Sequence, residues 1–160
     1  MREARLLLSN IAIQQKQQAE AEERLEQVLD EFPDDSSAAN DLGYLWAERG
    51  VHLERALRLI ELAVKDEPEN IAYRDSLGWV YYQTGQYPKA VAELEKAAKG
   101  EKPDAVILDH LGDAYWKANQ AEKARQAWQR AVKVFRQEKD EEKAKGVEGK
   151  LQKQRPGTKH

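Results

Sequence analysis

The sequence DLGYLWAERG occupies residues 41–50, and its pattern returns as SLGWVYYQTG at 76–85 and as HLGDAYWKAN at 110–119. The Leu-Gly pairs that begin at Leu42, Leu77 and Leu111 are 35 and 34 residues apart. An aromatic residue follows each Gly by three positions, and a turn-forming Gly or Asn ends each segment. A constant period of this length indicates a repeat protein in which each repeat is one small structural unit.

A second pattern follows each turn and has the spacing of a buried helix face. An Ala is followed four residues later by a large apolar residue and, after three more, by another Ala. The three sets are Ala56, Ile60 and Ala63; Ala90, Leu94 and Ala97; and Ala124, Trp128 and Ala131. Each repeat is therefore predicted to contain two helices that meet at small residues.

These positions resemble the tetratricopeptide repeat (TPR) family, whose units of about 34 residues carry Leu-Gly, Tyr, Ala, a bulky apolar residue, Ala and Pro in this order. The resemblance implies an all-α right-handed superhelix of four helix-turn-helix units, at about 2–35, 36–70, 71–104 and 105–138. In the first unit, Ser9 replaces the Gly and Ala12 replaces the aromatic residue. We expect a capping helix at about 139–154, a single domain over 1–154, and a flexible basic tail at 155–160.

Local signals place the helices independently of the resemblance. Ala4, Leu7, Leu8 and Ile11 have the i, i+3, i+4, i+7 spacing of one helix face. Residues 34–37 and Asp104 offer helix N-caps, and the residues around Pro88 suit the first turn of a helix. The last unit has no closing Pro, so its second helix should continue past residue 135. The sequence therefore predicts eight repeat helices and one closing helix.

The charge of the chain is unevenly distributed. Residues 1–132 hold 17 Lys and Arg against 24 Asp and Glu, a net charge of −7, whereas residues 133–160 hold 9 against 5, a net charge of +4. The acidic body disfavours binding to a nucleic-acid backbone, and Glu residues interrupt the Lys-rich tail. There is no Cys, which excludes a disulfide framework, a thiolate zinc site and a thiol nucleophile. No apolar run has the length of a membrane span.

The resemblance also implies a site, because TPR arrays line a concave groove with the first helix of each unit. It assigns to this groove Asn40, Asp41 and Tyr44 in the second unit, Asp75, Ser76, Trp79, Tyr82 and Gln83 in the third, and Asp109, His110, Asp113 and Trp116 in the fourth. Aromatic residues are enriched in binding hot spots, and the four carboxylates favour a basic partner. The alternative is that the aromatics pack between neighbouring first helices and the carboxylates serve solubility.

We predict neither enzymatic activity, nor a metal site, nor a cofactor. Asp109, His110 and Asp113 resemble an acid–base cluster, but neighbouring positions do not share a helix face and no second His is near. We interpret His110 as a solvated polar residue of the groove. The TPR proteins that bind a terminal carboxylate use Lys and Arg on this face; this chain has none at the matching positions, which argues against that function.

Two functions remain open at this point. The first is a protein–protein interaction scaffold that binds a basic and apolar peptide segment in the acidic, aromatic-lined groove. The second is weak homo-oligomerisation through the ends of the solenoid, or between the groove and the basic segment Lys150, Lys153, Arg155 and Lys159 of another copy. We expect the capping helix to direct this segment away from the groove of its own chain. Alternatively, the segment only keeps the end of the chain soluble.

A narrower resemblance concerns residues 75–82, together with His110, Gly112, Asp113 and Trp116. They look like the terminal repeats of long bacterial TPR proteins, some of which are envelope lipoproteins that act as adaptors for carboxy-terminal processing proteases. This resemblance implies a bacterial origin, a cytoplasmic or periplasmic location, and a piece of a longer protein.

Overall fold

The computed structural model describes residues 2–100 and 102–154, and within them it contains nine α-helices and no strand. The helices are α1 (Arg2–Gln14), α2 (Gln18–Glu31), α3 (Ser36–Arg49), α4 (Leu53–Asp66), α5 (Ile71–Gln83), α6 (Tyr87–Ala97), α7 (Ala105–Lys117), α8 (Ala121–Gln137) and α9 (Glu141–Lys153). The predicted all-α class is confirmed. None of these helices is both long and apolar enough to cross a membrane.

The chain forms two compact units that divide between Thr84 and Gly85. In the first unit, helices α1 to α5 pack in chain order, and α3 also packs beside α5. In the second unit, α8 packs against both α7 and α9. As predicted, α8 continues past residue 135 and ends at Gln137. The expected tail at 155–160 lies outside the described residues.

Four turns between helices have the same backbone conformation at the same repeat position. Gly50, Gly85 and Asn119, the predicted turn residues, have φ values of 65°, 75° and 60°. Lys16 lies 34 residues before Gly50 and has a φ of 59°. A left-handed conformation is natural for Gly and tolerated by Asn, but it is costly for Lys. The turn between α1 and α2 therefore has the same backbone conformation as the other three turns, but its residue, Lys16, is poorly suited to that conformation.

Local residues determine where helices α3, α6 and α7 begin, at the positions that the sequence predicted. The carboxylate of Asp35 accepts a hydrogen bond from the Ala38 amide at 2.9 Å and caps α3. Asp104 caps α7 by accepting a hydrogen bond from the Val106 amide at 2.7 Å. Pro88 lies in the first turn of α6, where its missing N–H costs no helical hydrogen bond. These starts are thus determined locally.

The core of the first unit depends on the close approach of α3 and α4. A Cβ atom added to Gly43 would lie 2.6 Å from Cγ1 of Ile60 and 3.0 Å from the carbonyl oxygen of Ala56. No heavier residue fits there without displacement of α4. The large buried side chains around this contact are Leu25, Val28, Leu42, Trp46, Ile60 and Val80.

The second unit has the same close contact at a glycine, but Trp128 takes the place that Ile60 has in the first unit. Trp128 is buried, as its repeat position predicts, and its ring lies against Gly112. A Cβ atom at Gly112 would lie 2.4 Å from Cδ1 of that ring. Phe135 on α8 and Val147 on α9 are also buried. Helix α9 therefore belongs to the core of the second unit.

Candidate functional site

The twelve residues assigned to the groove differ in their exposure. Asn40, Asp75, Ser76 and His110 are buried, whereas the other eight are half-buried. The Ser76 hydroxyl donates a hydrogen bond to the carbonyl oxygen of Ala72 in its own helix. The interpretation of His110 as a solvated residue is wrong, because only 6% of its surface is exposed. Its position on α7 places it in the packed interior of the second unit.

In the first unit, five of the half-buried residues lie on two neighbouring helices, α3 and α5. We call them the α3–α5 surface: Asp41, Tyr44, Trp79, Tyr82 and Gln83. The rings of Trp79 and Tyr82 are stacked, with centroids 4.8 Å apart and an interplanar angle of 7°. Trp79 also packs against the core of the unit. The aromatic pair is therefore held rigidly by the core, while part of it remains accessible.

Asn40 and Asp41 on α3 form a small group of hydrogen-bond acceptors in the same unit as these aromatics. The Asn40 side-chain amide donates a hydrogen bond of 3.2 Å to Asp41. The other atom of that side chain, Oδ1, is buried and has no hydrogen-bond partner among the described residues. Burial raises the pKa of Asp41, and the nearby charge of Asp35 raises it further. The only influence that lowers it is the Asn40 hydrogen bond, so no cation in the described part of the unit offsets the charge.

The second unit differs, because a lysine of α9 occupies its carboxylates. The Lys150 ammonium lies 2.7 Å from Oδ1 of Asp109 and 2.9 and 2.8 Å from the two carboxylate oxygens of Asp113. Burial alone would lower the pKa of Lys150, but Asp113 and Asp109 raise it above its usual value. Burial raises the pKa of Asp113, and Asp109 adds to this while Lys150 opposes it. One cation is thus shared by two carboxylates.

This contact corrects an expectation about the basic end of the chain. We expected the capping helix to direct the segment from Lys150 onward away from its own groove residues. Instead, Lys150 binds Asp109 and Asp113 of the same chain. Lys153 is exposed, and Arg155 and Lys159 lie outside the described residues.

The remaining groove residue of the second unit, Trp116, lies beside the core. Its ring centroid is 6.1 Å from that of Trp128. The Trp128 indole N–H donates a hydrogen bond of 3.0 Å to Asp113, the residue that also binds Lys150. Asp113 therefore links the core of the unit to α9. Its carboxylate already has partners on two helices and offers little to a further ligand.

Sequence reasoning named Lys150 as a contact for another copy and missed its contacts with Asp109 and Asp113 of the same chain. The sequence shows a Lys without a neighbouring acid, but its partners are 37 and 41 residues away. No helical spacing connects residues at that distance along the chain. Only the packing of α9 against α8 brings them together.

Two cavities in the described part of the chain lie away from the predicted groove residues. Among the described residues, no group of three or more His, Cys, Asp or Glu could hold a metal ion. Two surface cavities of about 580 and 550 Å³ are lined by other residues, around Asp104 and Arg130 in the second unit and around Asp35 and Asp66 in the first. The five residues of the α3–α5 surface are half-buried, so part of each side chain is accessible to a peptide segment.

Comparisons with known proteins agree with the repeat pattern. A Tetratricopeptide repeat model matches residues 6–53 and 52–106, and a second model of that description matches residues 108–138. A TPR repeat-containing protein of Pseudomonas aeruginosa is 35% identical over 82 residues, which are 51% of this chain and 14% of that protein. The chain therefore corresponds to a small part of that relative's length.

Solved structures show the same fold at low sequence identity. MamA from Desulfovibrio magneticus RS-1 has a TM-score of 0.67 at 21% identity, over 96% of this chain and 94% of that one. A thermophilic TPR protein from Thermus thermophilus has a TM-score of 0.73 at 20% identity, over 92% of this chain and 81% of that one. The Pseudomonas aeruginosa protein comes from a bacterium, which agrees with the expected bacterial origin.

Proposed function

We propose that this chain, which belongs to the tetratricopeptide repeat family, binds a segment of a partner protein through its α3–α5 surface. In that segment, Lys or Arg residues flank apolar side chains. The TPR fold supports a protein–protein interaction scaffold in general. The observation that carries the narrower proposal is the group of acceptors at Asn40 and Asp41, which has no cation of its own among the described residues. Catalysis has no part in this proposal.

The acceptors supply the charge recognition. A half-buried carboxylate without a counter-ion is destabilising, and a partner's ammonium or guanidinium group would relieve that cost on binding. The free Oδ1 of Asn40 could accept a hydrogen bond from the same cation or from the partner's backbone. Because the group is partly shielded from water, the interaction is screened less by salt than a fully exposed ion pair.

The aromatic residues supply the apolar contact. Stacked Trp79 and Tyr82 present a rigid surface that loses little conformational entropy when a partner docks. Tyr and Trp are the residue types that most often dominate binding energy at interfaces. A segment with an apolar side chain next to Lys or Arg matches a rigid aromatic pair on the same unit as Asp41.

The second unit is a weaker candidate for the same chemistry. Its Asp109 and Asp113 are already bound by Lys150 at 2.7–2.9 Å. A partner cation would have to displace this lysine before it gained the same contacts. We therefore assign the main binding contribution to the first unit.

The proposal can be tested with two labelled peptides, one in which Lys residues flank Leu and Ile, and a twin with Glu in place of each Lys. Fluorescence anisotropy should show saturable binding of the Lys peptide and none of the Glu peptide. Asp41→Asn should weaken binding at least about tenfold, and Tyr82→Ala should weaken it by about 2 kcal/mol.

Tyr81→Ala is the matched control, because Tyr81 is the neighbour of Tyr82 on α5 but its hydroxyl donates a hydrogen bond to Glu61 on α4. It should lower stability and leave the affinity for the peptide unchanged. Equal binding of the two peptides, or equal loss of affinity in the Tyr81 and Tyr82 variants, would contradict the proposal.

A further inference from the structure

Helix α1 carries an apolar face that no other described part of its unit covers. Leu7, Leu8 and Ile11 are 62%, 44% and 40% exposed, although they continue the apolar spacing that begins at Ala4. The opposite side of the helix is packed, since Ser9 and Ala12 are buried. Three large apolar side chains in one stripe are unusual for a surface without a partner. We call Ala4, Leu7, Leu8 and Ile11 the α1 face.

The repeat register shows what this face is elsewhere in the chain. Leu8 and Ile11 have an equivalent in each of the helices α3, α5 and α7. The equivalents of Leu8 are Leu42, Leu77 and Leu111, and those of Ile11 are Leu45, Val80 and Ala114; none is more than 7% exposed. The same positions are thus buried in every later first helix, and α1 keeps apolar residues there.

The structure also shows which residues bury these positions. Leu45, the equivalent of Ile11, packs against Ala12 and Ala21 of the preceding helix pair. Leu42, the equivalent of Leu8, lies in one cluster with Leu25 and Val28 of α2. Each covering group therefore belongs to the helical hairpin that comes one repeat earlier.

We propose that the α1 face is a docking surface for a further helical hairpin of this repeat type, one whose second helix presents a large aliphatic residue at the position of Leu25, as α4 presents Ile60 to Leu77 and Val80 of α5. The occupant is a TPR-type hairpin that is not one of the four in this chain. Its docking would bury the α1 face as α2 buries the equivalent face of α3.

A second copy of this chain is a poor occupant, because the described part of the chain has no uncovered hairpin to offer. The last second helix, α8, is already covered by α9, whose Ala144 and Val147 are buried. An ion pair between Arg136 and Glu148 at 2.8 Å also joins these two helices. The copy would have to release α9 before α8 could cover another α1.

A fusion of the full chain tests this surface. Helices α1, α3 and α5 begin at the equivalent residues Arg2, Ser36 and Ile71. Residues 36–70 contain α3 and α4 and end directly before α5. A copy of these residues placed directly before Arg2 therefore connects a second α4 to α1 in the same way that α4 is connected to α5. Joining the segments makes docking intramolecular and gives it a high effective concentration. The amide hydrogen exchange of α1 should slow at least about tenfold in the fusion.

Leu8→Glu and Ile11→Glu separate docking from folding. In the unfused chain both side chains are exposed, so these changes should leave the melting temperature and the exchange of α1 nearly unchanged. In the fusion they should abolish the added protection of α1. Asn10→Glu, at an exposed polar position of the same helix, is the control and should have no effect in either protein.

Three results would overturn the proposal. One is an unchanged exchange rate for α1 in the fusion, including the case in which the added residues do not fold. Another is an equal effect of Leu8→Glu in the fused and unfused chains. The third is a concentration-dependent dimer of the unfused chain that Leu8→Glu abolishes in sedimentation equilibrium, since that would assign the face to a second copy.

Discussion

At the scale of single residues, Lys16 is a position where sequence and backbone conformation disagree. Its φ of 59° matches those of Gly50 and Asn119 at the equivalent turns, and a side chain with a Cβ atom is strained there. We predict that Lys16→Gly raises the free energy of unfolding by about 1 kcal/mol. Urea denaturation followed by circular dichroism measures it.

Gln15→Gly is the matched control for that substitution. Gln15 is adjacent to Lys16 and is also exposed, but its φ is not positive. Gly at this site relieves no strain and adds freedom to the unfolded chain, so stability should fall slightly. If both variants changed stability in the same direction, strain at Lys16 would not be the cause.

Asp35 and Asp41 should affect stability in opposite directions. Burial opposes the ionised form of Asp35, but hydrogen bonds from Arg2 and Ala38 outweigh it and lower its pKa. Ionised Asp35 therefore stabilises the fold above its unfolded pKa, and this contribution disappears as pH falls through the lowered folded value. The pKa of Asp41 is raised, mainly by burial, so its ionised form opposes folding at neutral pH.

We predict that Asp35→Asn lowers the free energy of unfolding at pH 7, and that Asp41→Asn raises it. Asn remains a good N-cap, so the first change removes the ion pair with Arg2 and keeps the cap. Urea denaturation at pH 7 and at about pH 3 should show that the loss in Asp35→Asn shrinks in acid. Destabilisation by both variants at pH 7 would show that Asp41 is not an unmatched charge.

At the scale of helices, the close approach of α3 and α4 depends on Gly43. A methyl group at Gly43 would meet Cγ1 of Ile60 at 2.6 Å and the backbone oxygen of Ala56 at 3.0 Å. We predict that Gly43→Ala lowers the melting temperature and costs about 1–3 kcal/mol, as overpacking in cores does.

Gly146→Ala, in the interior of α9, provides the contrast. Apart from its chain neighbours and the backbone of its own helix, no described atom lies within 4 Å of a Cβ atom at this position. Ala should therefore stabilise α9 by about 0.5–1 kcal/mol through its higher helix propensity. A gain in stability from Gly43→Ala would show that α3 and α4 are not in close contact.

Lys150 should hold α9 to the carboxylates of α7. Its side chain is 34% exposed, so the loss in Lys150→Met should be about 1–2 kcal/mol, below the range for a fully buried pair. Lys153→Met, one turn later on the exposed side of α9, should be nearly neutral. A double-mutant cycle with Asp113→Asn should show coupling, and additive effects would contradict the contact.

The elements that the sequence predicted well are those that local signals determine. The Leu-Gly register, the Ala positions and the turn residue Gly50 depend on helix period and backbone conformation within one repeat. The exposure of the twelve groove residues was predicted less completely, because exposure depends on neighbouring helices. Neither the burial of His110 nor the partners of Lys150 follow from spacing along the chain.

At the scale of the whole molecule, the two compact units have different charge chemistry. In the first unit, which also carries Trp79 and Tyr82, Asp41 and Asn40 keep acceptors without a cation among the described residues. In the second, Lys150 already binds the carboxylates of Asp109 and Asp113. A partner's cation should therefore select the first unit, although both units are built from the same repeat.

The most direct test of this account is an NMR titration of the ¹⁵N-labelled chain with the Lys peptide described above. The account predicts that the amide shifts change around Asn40 to Tyr44 on α3 and around Trp79 to Gln83 on α5, with little change in α2 and α4. The changes should be absent in Asp41→Asn. Changes confined to α2 and α4, or centred on α9, would contradict the assignment of binding to the α3–α5 surface.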